Sequence, residues 1–547
     1  MHNRTFLRAP FATMAMALAL AGALATGCAF AQQQATGVVY YDANENAVHD
    51  ADEEGLANIP VTNGRDVVLT NEDGRYEVTV DDDDVIFVIK PRGWMTAQDE
   101  NNVPRFYYVH KPAGSPDLHY PAVEPTGDLP ESIDFPLYPQ DEPDQFTALF
   151  FGDPQPRNAW ETDFVVNDVL DPIAAAGTDA AMSFALGDIV NDPLDLLDDV
   201  GDAWGVLPTS NYFVLGNHDM NYDALADEYA DETWERVFGP ATYSLNYGPV
   251  HFIVIDDVIW HPGEGTPDSY REWKKQGHYT SGISDEDLEF IRNDLALVPK
   301  ETLVVYMFHI PLLNPEDNRH RLQNYDAFMS LFEGRENVLG FSGHTHTQYS
   351  GFGGIPQEDG VEVGHLHVTA TTACGAWWAG EVDEYGFPVS PCRDNVPNGC
   401  LEVSFDAADY SIEFVPARRP RSHQMIVWAP QVVSADTGQI PVYANVFLGN
   451  ERSTVEMRVE DGEWVTMQRV PEPQKEHVEM LAADRKAMLE GIGRADQFEQ
   501  VLLPCESAHL WYADAALDLD PGYHTIEVRT TDMFGQTYRG MRTIRIQ

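Results

Sequence analysis

Leu149–Asn158 reads LFFGDPQPRN: an apolar run closes on Gly152, and Asp153 and Gln155 follow with one residue between them. A short apolar run bounded by Gly and Pro predicts a buried strand. Positions 153 and 155 of an extended segment point the same way, so two oxygen-bearing side chains stand together just past the strand's end. The pattern recurs down the chain. Asp188 follows FALG (184–187), Asn217 and His218 follow FVLG (213–216), His309 follows VYMF (305–308), and His344 and His346 follow GFSG (340–343). In open α/β sheets sites form beyond the carboxyl ends of the strands. Five such endings predict one crevice holding Asp153, Gln155, Asp188, Asn217, His309, His344 and His346. The glycines at 152, 187, 216 and 343 let the chain turn and approach an ion without a Cβ in the way. A lone histidine at a strand end is ordinarily a hydrogen-bonded core residue; five ligand-type endings in order are not what packing alone produces.

Around these endings, roughly residues 145–417, apolar runs alternate with segments of helical period such as SDEDLEFIRNDLALV (284–298), which predicts an α/β layered domain. Residues 36–140 instead alternate apolar and polar side chains between turn signals, as in VVLTNEDGRYEVTV, which predicts a small antiparallel β-sandwich module; the Pro/Asp-rich YPQDEPDQ joins the two. Residues 423–547 return to strand alternation and predict a C-terminal β-sandwich of fibronectin or immunoglobulin type, interrupted by a helix near 478–489. Within the first module, Asp42, Asn44, Asn46, Asp50 and Glu53 fall at positions 1, 3, 5, 9 and 12 of a calcium loop, with Ala47 where glycine makes the turn. That stretch is read as an acidic solvated turn, with a Ca site in the N-terminal module as the alternative.

At 547 residues the chain is too long for a single core. Its 33 basic against 89 acidic residues leave a net charge of −56. Such a surface repels nucleic acid and anionic lipid, so neither is an expected partner. Arg4 and Arg8, an Ala/Leu/Met-rich run and then small residues make residues 1–31 a secretory signal peptide, with lipid attachment at Cys28 the alternative exit. No later run is long enough to span a membrane, and the expected location is periplasmic or extracellular. In an oxidising compartment Cys374, Cys392, Cys400 and Cys505 predict one or two disulfides.

The series GDPQ (152–155), GDIVND (187–192), GNHD (216–219), FHIP (308–311) and GHTH (343–346) resembles the five blocks of the calcineurin-like metallophosphoesterases, across residues 145–417. The first module similarly resembles carboxypeptidase-regulatory-like and adhesin B-type β-modules. The phosphoesterase resemblance implies a two-sheet β-sandwich flanked by helices that holds two divalent metal ions, drawn from Mn, Fe, Zn or Mg. Asp153, Gln155, Asp188 and His346 would hold one and Asp188, Asn217, His309 and His344 the other, with Asp188 bridging. His218 would act as the acid beside the metals and Asp219 would orient it. It implies hydrolysis of a phosphate mono- or diester by a metal-bridging hydroxide, with a small phosphate ester as substrate; a non-catalytic surface protein binding a glycan or partner on a phosphoesterase scaffold is the rival. Every donor is retained, which favours the enzyme.

Two departures stand out. The first block is usually Asp-any-His, and Gln155 offers a neutral amide oxygen in its place, which shifts metal preference toward harder ions such as Mn or Mg. The second block carries Asn191 and Asp192 where an Asp-Arg pair is common. The repeat GHLH puts His365 and His367 at the spacing of His344 and His346; these are expected on the next strand rather than at the metals. His278, Arg157, Arg321, Trp377 and Trp378 are candidate pocket residues, each more readily read as a solvated or structural side chain.

Overall fold

Phe150 and Phe151 are neighbours in a strand and therefore face opposite ways. Phe150 stacks on Phe341 at 4.1 Å between ring centroids, and beside it Phe184 stacks on Phe252 at 5.4 Å. These four rings lie between two sheets. Phe151 points outward, edge-on to Trp204 at 5.7 Å, beneath a layer of helices. All five phenylalanines and Trp204 are fully buried, each contributing about 1.5–3 kcal/mol.

The computed structural model describes residues 33–265, 269–313, 321–357, 362–470 and 505–547, with four positions between 481 and 487. The predicted signal peptide lies outside the described residues, and the helix expected near 478–489 does so for the most part.

One central sheet runs Ser210–Val214, Met182–Leu186, Gln145–Phe151, Gly399–Asp406, Asp409–Pro416. The other runs Tyr243–Tyr247, Val250–Val254, Leu303–Met307, Val338–Ser342, Glu362–Thr369, Tyr349–Pro356. Met182–Leu186 is parallel to both neighbours, and Val250–Val254, Leu303–Met307, Val338–Ser342 and Glu362–Thr369 are parallel in succession. Shared direction is what places the segments after residues 151, 186, 214, 307 and 342 at one edge of the sandwich. A helical layer that includes Ala159–Phe164 and Leu197–Trp204 packs on the outer face of the first sheet, while Asp285–Leu295, capped by Ser284 Oγ accepting from the Asp287 N–H, packs with the core of the second.

The central sandwich is thus α/β, and the modules beside it are all-β. The first has two four-stranded sheets, Arg75–Val80, Gln33–Tyr41, Phe135–Pro139, Trp94–Thr96 and Val67–Leu69, Pro60–Thr62, Asp84–Val88, Tyr107–His110. It is not wholly antiparallel: Gln33–Tyr41 pairs with Phe135–Pro139 in parallel, the module's other six strands lying between them in the chain. In the acidic turn, Asp42 accepts from the Asn46 and Ala47 N–H groups and Glu53 from those of Ala43 and Asp50, with Ala47 itself left-handed at φ 57°. Asp50 Oδ2 accepts from the side-chain amides of Asn44 at 2.9 Å and Asn46 at 3.2 Å. The last module sets a four-stranded sheet (Met425–Trp428, Gln439–Val446, Leu510–Ala516, Gln468–Arg469) against a five-stranded one built on the Gly522–Thr531 and Thr537–Ile546 hairpin.

Cys374, Cys392 and Cys400 are buried free thiols, contrary to the disulfide expectation. Cys392 Sγ lies 3.1 Å from Thr371 Oγ1 and Cys374 Sγ 3.6 Å from His346 Nδ1.

Candidate active site

The strand-end residues meet. His309 Nε2 lies 3.1 Å from Asp188 Oδ1, His344 Nδ1 3.2 Å from His309 Nε2, and His346 Nε2 3.3 Å from Asp153 Oδ2. Gln155 Nε2 donates to Asp188 Oδ2 at 2.9 Å. Asp153, Gln155, Asp188, Asn217, His309 and His346 are all buried. Two glycines make the approach possible: a Cβ on Gly216 would stand 2.0 Å from the Asp188 nitrogen, and one on Gly343 2.4 Å from Asp153 Oδ1.

Backbone conformation marks the same residues. Asp153, Gln155, Asp188, His344 and His346 have φ of 27°, 43°, 49°, 77° and 55°, the left-handed region that non-glycine residues seldom enter. Each such residue costs on the order of 1–3 kcal/mol and persists only where its surroundings enforce it. Here backbone hydrogen bonds do so: the His344 N–H donates to Asp153 Oδ1, the His218 N–H to Asp188 Oδ1, and the Gln155 N–H to the Asp188 carbonyl.

The imidazoles are oriented from behind. His309 Nδ1 lies 2.9 Å from the Leu186 carbonyl and His346 Nδ1 2.6 Å from the Gly375 carbonyl, so each Nδ1–H donates to backbone and each Nε2 faces the cluster. Burial draws the His346 imidazole down to about 4, keeping it neutral. Burial also pushes the Asp153 carboxyl up, to about 7, with the Asp188 charge adding to it against His309. Burial would raise Asp188 as well, but His309, His218 and His344 hold it well below the carboxylate range. Burial opposes charge on His309, yet Asp188 carries it up to about 10.

Three buried oxygens in the cluster, Asp153 Oδ2, Gln155 Oε1 and Asn217 Oδ1, have no hydrogen-bond partner. Unpaired buried acceptors are costly. Together with three imidazoles and the Asp188 carboxylate they form a mixed N/O donor set that fits divalent transition metals. The carboxylate of Asp188 and the imidazoles of His309 and His344 offer atoms within 4.8 Å of one another, close enough for a shared ion.

His218 stands at the rim, its Nε2 3.9 Å from Asp188 Oδ2. The carboxylate that orients it is Asp192, whose Oδ1 lies 2.6 Å from His218 Nδ1. Asp219 does not have the expected orienting role: its two oxygens accept the N–H groups of Ile189, Val190 and Gly216, which ties the GDIVND turn to the GNHD turn. Asp192 also accepts from Tyr222 Oη at 2.9 Å and from Lys274 Nζ. Lys274 belongs to the helix Tyr270–Gln276, carried between the paired strands Val258–His261 and His278–Ser281. Asp257, which accepts the His309 and Ile310 N–H groups and thereby fixes the FHIP turn, was likewise not singled out from sequence; its only signal was another carboxylate past an apolar run, HFIVIDD.

Of the candidate pocket residues, Trp377 stacks on the His346 ring at 4.2 Å and its carbonyl accepts from Arg157, which pairs with Glu161. Trp378 is buried and donates from Nε1 to the Pro154 carbonyl. His278 stacks on His261 in the hairpin, and Arg321 is exposed. His365 and His367 lie on the strand Glu362–Thr369, both against Tyr306 Oη, in the core rather than among the site's donors.

Residues 42–120 match the family model for the N terminal of Calcineurin-like phosphoesterase, and residues 367–538 that for the C terminal of Calcineurin-like phosphoesterase. No curated protein gives a significant match. Among solved structures, a purple acid phosphatase from yellow lupin (Lupinus luteus) seeds aligns at 12% identity over 71% of this chain and 67% of that one, with a TM-score of 0.32. CopC from Methylosinus trichosporium aligns at 14% identity over 22% of this chain and 91% of its own, with a TM-score of 0.12. The two family matches make the chain similar to the calcineurin-like phosphoesterases over residues 42–120 and 367–538.

Proposed function

We propose that the chain is a binuclear-metal phosphoesterase acting on a small phosphate mono- or diester outside the cytoplasm. The reading is carried by the three unpartnered buried oxygens, Asp153 Oδ2, Gln155 Oε1 and Asn217 Oδ1, converging beside Asp188, His309, His344 and His346. Asp153, Gln155, Asp188 and His346 would hold one ion and Asp188, Asn217, His309 and His344 the second. When bound, such a pair supplies Lewis acidity toward phosphoryl oxygens and a nucleophilic water at neutral pH.

The chain's own residues do the rest. Asp192 orients His218 through Nδ1, leaving Nε2 toward the cluster, where it can place a proton on the departing ester oxygen. Lys274 beside Asp192 keeps positive charge at the rim, where an otherwise acidic molecule would repel an anionic ester. A secreted location accords with the predicted signal peptide at residues 1–31. Among the described residues no helix is long and apolar enough to cross a membrane.

Titration of chelator-stripped protein with Mn, Zn, Fe(II) and Mg, followed by assay on p-nitrophenyl phosphate, its bis ester and a nucleotide panel, tests the reading. Two bound ions with metal-restored hydrolysis are expected. Metal binding without hydrolysis of any ester would replace the enzyme by a binding protein on this scaffold, and failure to bind any of the ions would remove the metal centre.

A further inference from the structure

His344 and His346 are both left-handed, and the bonds that keep them so do not all come from the central sandwich. The His346 carbonyl accepts from the Arg393 N–H at 2.8 Å, and the Thr345 carbonyl from Arg393 Nη1 at 3.1 Å. Two residues on, the Gln348 N–H donates to Asp394 Oδ2 at 2.7 Å. The turn at 392–396 therefore grips the GHTH turn along its backbone. Asp394 is fully buried, and its own fixings come mainly from the last module. His509 Nε2 lies 3.0 Å from Asp394 Oδ2, and Asn445 Nδ2 donates to the Asp394 carbonyl at 3.0 Å. Ser507 Oγ donates to Asn445 Oδ1 at 2.7 Å, and the Cys505 N–H to the Arg393 carbonyl at 3.1 Å. Asn445, Ser507 and His509 are buried with Asp394 and Gln348, so the network is dry and none of these bonds is exchanged freely for water.

Resting on the metal-centre reading above, we propose that the C-terminal sandwich completes the site: His509 and Asn445, acting through Asp394, are positioning residues that hold the GHTH turn in its strained conformation. The physical need is clear from the strain. Two left-handed histidines cost a few kcal/mol and relax unless surrounding structure over-determines them. The strand Val338–Ser342 enters the turn from one side only. The bonds to the Thr345 and His346 carbonyls and to the Gln348 N–H constrain the exit; the last runs through Asp394 to Asn445 and His509, and the first two come from the adjoining Arg393, whose carbonyl accepts from the Cys505 N–H. Without them His346 loses its fixed approach to Asp153, whereas His309, held by the Leu186 carbonyl and Asp257, is untouched. The effect is directional: the His346 side of the centre depends on the last module, the His309 side does not.

The test uses the full-length chain. In His509→Leu, hydrogen exchange of backbone amides 343–349 should rise about 10-fold or more while that of the Leu303–Met307 strand stays unchanged, and affinity for one of two Mn ions should fall by about 10–100-fold. His509→Gln, which keeps an amide N–H toward Asp394, should restore both readouts to within about 3-fold, and Ser507→Ala should give a smaller loss in the same direction. Unchanged exchange at 343–349 in folded His509→Leu and Asn445→Leu overturns the proposal, as does loosening spread evenly over the whole C-terminal sandwich without a selective metal defect. If wild-type protein binds no metal, the site reading fails and exchange at 343–349 alone decides the clamp. If His509→Leu does not fold, Ser507→Ala and His509→Gln are read against wild type, and no change at 343–349 in Ser507→Ala counts against the clamp.

Discussion

Gln155 keeps its two amide ends in different company: Nε2 is bonded to Asp188, while Oε1 is buried with no partner. An amide in that state is half satisfied, and an ion at Oε1 would complete it. Replacement by histidine exchanges a neutral oxygen for a more strongly donating nitrogen, so Gln155→His should tighten Zn or Fe relative to Mn or Mg. Competitive metal titration of both proteins checks this, and unchanged selectivity with a lowered melting temperature would mean the side chain serves packing. Asp192 and Asp219 offer a sharper contrast. Asp192→Asn weakens the orientation of His218 and should lower turnover by roughly 10²-fold or more with both ions retained, as an imidazole held in the wrong orientation or tautomer does elsewhere. Asp219→Asn places an NH2 group against buried backbone donors and should instead cost about 1–3 kcal/mol of stability, read by denaturant unfolding. At this scale the residues that cluster were legible because each lies at, or within a few positions past, the end of an apolar run. The role of Asp192 was not, since it depends on a left-handed turn at φ 74° that swings it toward a histidine 26 positions on.

Between the first module and the helix Glu232–Phe238 lies a buried ionic knot. Lys111 Nζ sits 2.8 Å from both Glu232 Oε2 and Glu235 Oε2 and is also bonded to Asp83, and Ser115 Oγ donates to Glu232. The three carboxylates have the spacing of a metal site, but the ammonium already occupies their focus. Burial would lower the Lys111 pKa, and the surrounding glutamates raise it instead. Removing the cation leaves several buried charges without compensation, so Lys111→Met should destabilise by about 3–5 kcal/mol. Calorimetry checks it; a loss below about 1 kcal/mol would mean that the carboxylates protonate without consequence. The elements on either side show what alternation can and cannot convey. Runs such as TLVVYMF appear as the strand Leu303–Met307 because a doubly covered parallel strand is apolar on both faces. Alternation in the first module announced strands but not their direction, since burial of one face is indifferent to whether a neighbour runs parallel. The short pair Val258–His261 and His278–Ser281, which carries Lys274 toward His218, was hidden because VIW is only three residues long and its partner HYTS is polar.

Across the whole molecule, 89 acidic against 33 basic side chains make charge the dominant variable of stability. Self-repulsion at net −56 weakens as carboxylates protonate and as salt screens them, with a Debye length near 10 Å at 0.1 M and about 3 Å at 1 M. A second contribution comes from carboxyls whose protonated form the fold favours. Burial holds Asp84 up to about 6, and burial holds Asp287 up to about 6 despite its bond to Ser284. The ordinary value for both is 3.8. In the window between those values the folded chain binds protons that the unfolded chain has released, so stability is greatest below about pH 4 for these groups and is lost as pH rises through 6. Both contributions act in one direction, and they separate by salt: screening removes repulsion between exposed charges but not the cost of burying a carboxylate. Metal-free protein should therefore melt a few degrees higher at pH 5.5 than at pH 8 in low salt, with the gap narrowed but not closed in 1 M NaCl. Scanning calorimetry with chelator at both pH values and both salt levels reads the result. A melting temperature that is flat or rises toward pH 8 would mean that neither net charge nor the buried carboxyls govern stability, and a gap abolished by salt would leave the surface charge alone responsible.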